Sequence, residues 1–185
     1  MPYCSPYTLR KACQQLKAGQ VIAYPTEGVY GLGCDPLQVN AVLKLLHLKN
    51  RPVHKGLILI GANLEQLKPY VQLNDTVLAR INAHLHEPIT WLVPAQPWTP
   101  NWLTGDHNTL AIRITAHPIA SALCRHYKSA LVSTSANLNT APAIKKPHRL
   151  IKPFARRGVF IVHGQLGGLT KETAIYDALT YQKLR

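Results

Sequence analysis

Four short segments of this chain carry side chains able to hold or activate a substrate. In Lys49-Asn50-Arg51-Pro52-Val53-His54-Lys55 three strong cations gather between a helix C-terminus and a strand. A cation in a last helical turn is stabilising against the helix dipole by about 0.3–1 kcal/mol, which accounts for Lys49. It does not account for Arg51 and Lys55, which, with Pro52 stiffening the segment, can aim several donors at one phosphate group. In Leu110-Ala111-Ile112-Arg113-Ile114 an arginine stands inside an apolar strand pattern. A buried guanidinium is costly unless it meets an anion. Arg113 therefore points to a substrate carboxylate, to an internal pair with one of only eight acids, or to an exposed strand face.

The other two segments are neutral. Pro25-Thr26-Glu27-Gly28-Val29-Tyr30-Gly31-Leu32-Gly33 reads as a loop leaving a strand end, where ligands bind in α/β proteins. Glycines 28, 31 and 33 permit positive φ and close backbone approach, and Thr26 and Tyr30 offer hydroxyls to a small polar substrate. The spacing matches neither the dinucleotide fingerprint nor the P-loop, so a plain turn stays open as the alternative. Ser133-Thr134-Ser135-Ala136-Asn137 follows an apolar strand directly, a position that suits a ligand but equally suits side-chain capping of a turn.

Between His107 and Lys171 the chain has no acid and ten strong cations, densest in KKPHRLIKPFARR from Lys145 to Arg157. Such a run is usually a solvated face, but without interspersed acids it also fits contact with an RNA backbone, which leaves a non-catalytic double-stranded RNA/tRNA-binding module as the alternative function. No stacking-aromatic RNA motif accompanies it. Of nine histidines only His84 and His86 lie close together, with no H-E-x-x-H or C-x-x-C nearby, so no metal ligands are assigned.

These segments need a scaffold. Ser5-Pro6 reads as a cap followed by proline at the first helical position, with Leu9, Cys13 and Leu16 as the apolar stripe and Gly19 as the stop. Asp35-Pro36 repeats the signal before a stripe of Val39, Val42, Leu43 and Leu46. Further helices are predicted near 75–84 and 118–127, and strands at 21–25, 57–60, 89–93, 110–114, 130–132, 158–162 and 173–177. Several strands are continuously apolar, as in a sheet covered on both faces. The expected fold is a single α/β domain over residues 1–185, with an open, twisted, mixed β-sheet flanked by helices.

Composition narrows the class further. At 185 residues, 46% hydrophobic and 16% charged, the chain can bury one sizeable core, which excludes disordered and fibrous proteins. A formal charge of +13 suits a phosphate-bearing partner. No apolar run approaches the roughly 18 residues of a membrane span. The opening residues lack the apolar core of a secretory signal, and the four cysteines form no close pair, so a cytoplasmic protein with reduced, structural thiols is expected.

Taken together, AYPTEGVYGLGCDP, LKNRPVHKGLILI, EPITWLVP, WLTGDHNTLAIRITAHP, LVSTSANL and AIYDALTYQKLR resemble, in order and spacing, the YrdC/TsaC family of L-threonylcarbamoyladenylate synthases. The pairs Lys49/Arg51 and Ser135/Asn137 correspond to that family's K-x-R and S-x-N signature. The resemblance implies a YrdC-like fold and a nucleotidyltransferase that joins L-threonine, bicarbonate (or CO2) and ATP into threonylcarbamoyl-AMP with release of pyrophosphate. It implies threonine contacts at Thr26, Arg113, Ser133 and Thr173, and ATP contacts at Arg51, Lys55, Thr109, Ser135, Asn137 and Arg185, with a backbone contact at Ala143. Lys49, Arg51 and Lys55 would carry the catalytic charge stabilisation, Mg2+ would accompany ATP, and partner proteins would pass the threonylcarbamoyl group to tRNA. The chain departs from the family at Ile60, where longer relatives place a histidine near threonine, and at Gly28, in place of Thr or Ala.

Overall fold

Ser5 caps the first helix as its place before Pro6 predicts: its hydroxyl accepts from the Thr8 amide at 3.1 Å. Helix α1 (Pro6–Lys17) then buries Leu9, Ala12, Cys13 and Leu16. The computed structural model describes residues 4–138, 141–170 and 173–185; Lys171, counted above in the acid-free stretch, lies outside the described residues.

Strand β1 (Ile22–Pro25) turns back through residues 26–29 into β2 (Tyr30–Gly33), pairing Tyr24 with Gly31. The segment expected to be a glycine-rich loop is therefore half strand. Gly28, Gly31 and Gly33 take no positive φ, so close approach is the reason for the last two. A Cβ at Gly33 would stand 2.5 Å from the Val132 carbonyl oxygen, and one at Gly31 would stand 3.2 Å from the Thr26 methyl group.

Asp35-Pro36 is a turn instead of a cap, with Asp35 Oδ1 accepting from the Leu37 amide. Helix α2 (Val39–Lys49) starts only after Gln38, and its buried face follows Val42, Leu45, Leu46 and Lys49. Val39 and Leu43 of the expected stripe are exposed. The elements that follow are β3 (Ile58–Gly61), α3 (Asp75–Ala83), β4 (Thr90–Pro94), the short unforeseen α4 (Asn101–Thr104), β5 (Thr109–Ile114), α5 (Pro118–Tyr127) and β6 (Leu131–Ser135). Strand β6 runs on through Ser133 to Ser135, which were expected to lie beyond the strand. The last strands are shorter than expected, β7 (Phe160–Ile161) and β8 (Ile175–Asp177).

The eight strands form one mixed sheet in the order β7-β1-β2-β6-β3-β5-β4-β8, parallel only at β7–β1, β3–β5 and β4–β8. Its register decides where a ligand can go. One face carries Leu32, Val132, Leu59, Ile112, Trp91 and Val93, buried with Val42 and Leu45 of α2 and Val77 and Ile81 of α3. On the other face, Ile22, Tyr24, Ile60 and Leu131 are covered by Leu9 and Leu16 of α1 and Ile119 and Leu123 of α5. Those two helices cover only part of that face. The remainder, where Ser133, Ile58, Ala111 and Leu92 are paired across four strands, borders a cavity of about 360 Å³. Among the described residues no helix is long and apolar enough to cross a membrane.

Candidate active site

The cavity floor is set by strand alternation. Thr109, Ala111 and Arg113 of β5 point into it, while Leu110 and Ile112 enter the opposite core. Ser133 and Ser135 of β6 line it by the same rule, as does Gly31 of β2.

Arg113 is buried, which excludes the exposed-face reading and places it beside an internal acid. Its Nη2 lies 3.6 Å from Glu27 Oε2, too far for a hydrogen bond, while Nη1 donates to Thr173 Oγ1 at 2.9 Å. Thr173 Oγ1 is in turn 3.2 Å from Thr90 Oγ1. Arg113 Nε and Glu27 Oε2 make no hydrogen bond. A guanidinium has five N–H donors, so this one is oriented without being saturated, which suits an incoming carboxylate. Glu27 Oε1 accepts from Thr115 Oγ1 at 2.6 Å. Burial works against its charge, but Arg113 and the Thr115 hydrogen bond outweigh it and hold its pKa below the ordinary glutamate value. Thr26, in the turn beside it, donates its hydroxyl to the Val29 carbonyl at 2.7 Å. Segment 164–170 straps this turn: the amides of Gly167 and Leu169 donate to the carbonyls of Thr26 and Glu27 at 3.1 and 2.9 Å.

The cationic side begins where α2 ends. Asn50 takes the left-handed conformation at φ 50°, and the Arg51 amide closes the helix on the Leu46 carbonyl. The reversal sends Lys49 and Arg51 different ways. Lys49 is buried and donates to the carbonyl oxygens of Ser135 and Asn137 and to Asn137 Oδ1, which also lies 2.8 Å from Ser135 Oγ. Lys49 of the first signature pair and both members of the second are thus one knot. Lys49, expected among the residues that stabilise charge, has its ammonium donors on protein oxygens and borders a side recess of about 100 Å³. Burial and then the neighbouring Arg51 charge lower its pKa to about 8. Arg51, half-buried, donates from Nη2 to the Gly56 and Lys55 carbonyls at 2.9 and 3.3 Å, and its Nε makes no hydrogen bond. Arg51, Lys55 and Ser135 line both recess and cavity; Asn137 lines the recess alone.

Thr26, Arg113, Ser133, Thr173, Arg51, Lys55, Thr109, Ser135 and Arg185 therefore share one cavity. Arg185 reaches it with Nη2 donating to the Thr173 carbonyl at 3.1 Å. Besides Lys49 and Asn137, which border only the recess, two expected residues line neither space. Tyr30 points into the opposite core, its hydroxyl donating to the Gly164 carbonyl at 2.6 Å and accepting from the Gly164 amide. Ala143 borders neither cavity nor recess. Ile60 lies beside Arg113 in register but belongs wholly to the core under α5, so its lack of a polar group leaves the cavity lining unchanged.

Several lining residues were not singled out from sequence: Glu27, the apolar wall of Leu57, Ile58, Leu92, Leu103 and Ile175, and the exposed rim residue His107. Glu27 had a signal, since an acid between Thr26 and Gly28 is a natural counter-charge for a strand arginine. Two glycines close the wall. Gly56 at φ 60° and Gly105 at φ 65° cross so tightly that a Cβ would stand 2.7 Å from the Thr104 carbonyl oxygen in the first case and 2.3 Å from that of His54 in the second.

A Sua5/YciO/YrdC family model, described as "Telomere recombination", matches residues 14–185, and the chain belongs to that family. It is similar to proteins named threonylcarbamoyl-AMP synthase from Methylococcus capsulatus, 47% identical over 186 residues with both chains fully covered, and from Enterobacter sp., 45% identical over 183 residues with 96% and 95% covered. Among solved structures it resembles P. abyssi Sua5 complexed with L-threonine, at TM-score 0.88 and 27% identity. That alignment covers 97% of this chain and 53% of the other, so the chain spans about half of that protein. E. coli YciO shares the fold at TM-score 0.81 and 22% identity, covering 97% and 91%.

Proposed function

We propose that this chain, residues 1–185, makes L-threonylcarbamoyl-AMP from L-threonine, bicarbonate or CO2, and ATP, releasing pyrophosphate. The observation that carries this reading is one cavity holding an oriented but unsaturated arginine at one end and a cationic recess at the other. The family membership and the names of the relatives agree with it. Arg113, set by Glu27 and Thr173, holds the threonine carboxylate, and Thr26 and Ser133 orient its polar atoms. Arg51 and Lys55 face the triphosphate. Thr109, Ser135 and Arg185 hold the rest of the nucleotide, and Lys49 shapes the recess through Asn137.

Carboxylation of the threonine amine gives a carbamate. Its oxygen attacks the α-phosphorus of ATP, the bond to the β-phosphate oxygen breaks, and pyrophosphate leaves with the electron pair. Charge grows on phosphate oxygens, where fixed cations in a largely dehydrated cleft act most strongly. Mg2+ enters with ATP as part of the substrate. Glu27 is the one carboxylate lining the cavity among the described residues and is already engaged, so the ion rests on triphosphate oxygens and water. The product is an activated acyl adenylate, to be consumed by partner proteins that modify tRNA in the cytoplasm, with the exposed basic stretch 145–157 available for weak RNA contact.

The test is pyrophosphate release from ATP by purified protein, with and without L-threonine and bicarbonate, against L-serine. Release that requires both co-substrates and prefers threonine is expected. Release indifferent to threonine, or none at all, would overturn the reading.

A further inference from the structure

Arg185 reaches the cavity on a fold-back whose backbone is hydrogen-bonded to β8, the Asp177 amide donating to the Gln182 carbonyl and the Tyr181 amide to that of Asp177, both at 2.9 Å. Beyond β8, at the outer edge of the sheet, the chain folds back on itself: Asp177 Oδ1 accepts from the amides of Leu179 and Thr180, both at 2.8 Å, and an antiparallel bridge joins Tyr176 to Lys183. The Leu184 amide then donates to the Ile175 carbonyl at 2.8 Å, and the Ile175 amide to that of Arg185 at 3.2 Å.

Tyr181 sits in the bend at φ 62°, a conformation that a bulky residue adopts only when its surroundings impose it. Side chains pack around it in addition to the hydrogen bond from its amide to the Asp177 carbonyl. The ring stacks on Tyr176 at 5.5 Å, His84 at 5.9 Å and Trp91 at 6.1 Å between centroids. Its hydroxyl lies 2.8 Å from His84 Nε2, whose ring partner Nδ1 is 2.7 Å from Glu87. The Arg80 guanidinium stands 5.5 Å from the ring centroid and donates to the carbonyls of Ala178 and Leu179. Tyr181, His84, Trp91, Tyr176 and Arg80 all stand outside the cavity lining.

We propose that this aromatic clasp is a positioning device, in which Tyr181 and Arg80 fix the fold-back that sets the Arg185 guanidinium at the cavity rim, so that side chains remote from substrate govern nucleotide affinity. The proposal rests on the assignment of Arg185 to ATP. A stack serving only to stabilise the edge strand would make no such link, because nucleotide affinity would then be indifferent to the ring.

The experiment compares wild type, Tyr181→Ala, Tyr181→Phe, Arg185→Ala and the Tyr181→Ala/Arg185→Ala double variant. It reads backbone amide exchange at Leu184, calorimetric titration with MgATP, and steady-state kinetics. Tyr181→Ala should accelerate Leu184 exchange and raise Kd and KM for ATP about five-fold, with kcat and the KM for threonine held within about two-fold. Tyr181→Phe keeps the stack and should restore most of the affinity. The double variant should match Arg185→Ala alone, because the ring acts only through that guanidinium. Unchanged exchange in Tyr181→Ala, unchanged ATP affinity despite faster exchange, or additive losses in the double variant would each overturn the clasp. Wild-type protein that binds ATP without threonine-dependent turnover would strike the synthase reading instead, leaving the clasp to be decided by exchange and calorimetry.

Discussion

Two groups of cations in this molecule obey opposite rules. Lys49, Arg51 and Arg113 are buried or half-buried, and each is fixed by protein oxygens: the Ser135–Asn137 turn, the 55–56 carbonyls, and Thr173 with Glu27. Lys145, Lys146, Arg149, Lys152, Arg156 and Arg157 are all exposed, and none forms an ion pair among the described residues. Their scaffold is held instead by the fully buried Leu150 and Phe154. Charge density along the chain marks the second group, but enclosure marks the first. A cation out of water must be held by fixed oxygens, and that fixation is what gives it a defined direction toward a ligand.

The contrast is broken most severely at Arg113. Arg113→Ala should reduce threonine-dependent pyrophosphate release by at least about a hundred-fold. Because Glu27 is left without its counter-charge, Arg113→Ala/Glu27→Gln should fold better than the single variant and stay equally inactive, as circular dichroism and the release assay would show. Activity within about ten-fold of wild type would reject the carboxylate role.

Glu27→Gln alone is a stability test with a definite sign. The Glu27 pKa is lowered in the fold, so its stabilising contribution is complete above the unfolded-state value of about 4.3 and is lost as pH falls through the folded value. Urea unfolding should find the variant about 1–3 kcal/mol weaker at pH 7, with the gap closing under acid. A gap that stays constant down to pH 3 would remove Glu27 from the ion pair.

A smaller effect is expected at Lys49. Arg51→Gln removes the lesser of the two influences that depress its pKa, so the midpoint of the Lys49 side-chain resonance should move up from about 8. The smallest change belongs to the exposed group. Lys152→Ala/Arg156→Ala should leave adenylate formation at the wild-type rate, and loss of ATP turnover there would erase the distinction between the two groups.

Much of this was legible in the chain itself. Proline at the start of α1 and α5 marks helix entry locally, and Arg113 declares itself because an isolated charge in an apolar strand must be paired. Strand β2 is harder to read. Its pairing with β1 and β6 is non-local, and two glycines in four residues hide the alternation. The same blindness to register hid the direction of Tyr30, whose hydroxyl suits a small substrate but whose strand position turns it toward Gly164. Lys49 was found for its charge, while its hydrogen-bond partners were not legible, because the oxygens that hold it come from residues 135 and 137, far along the chain.

The crossing of Gly56 and Gly105 bears on how this protein can change over time. The loops that present Lys55 and Thr109 touch backbone to backbone at those two residues, without a side chain between them to absorb a misfit. One wall of the cavity is consequently a single inherited unit. Its other side chains can drift toward different substrates, while a methyl group at either crossing point would separate the two loops and disable both at once.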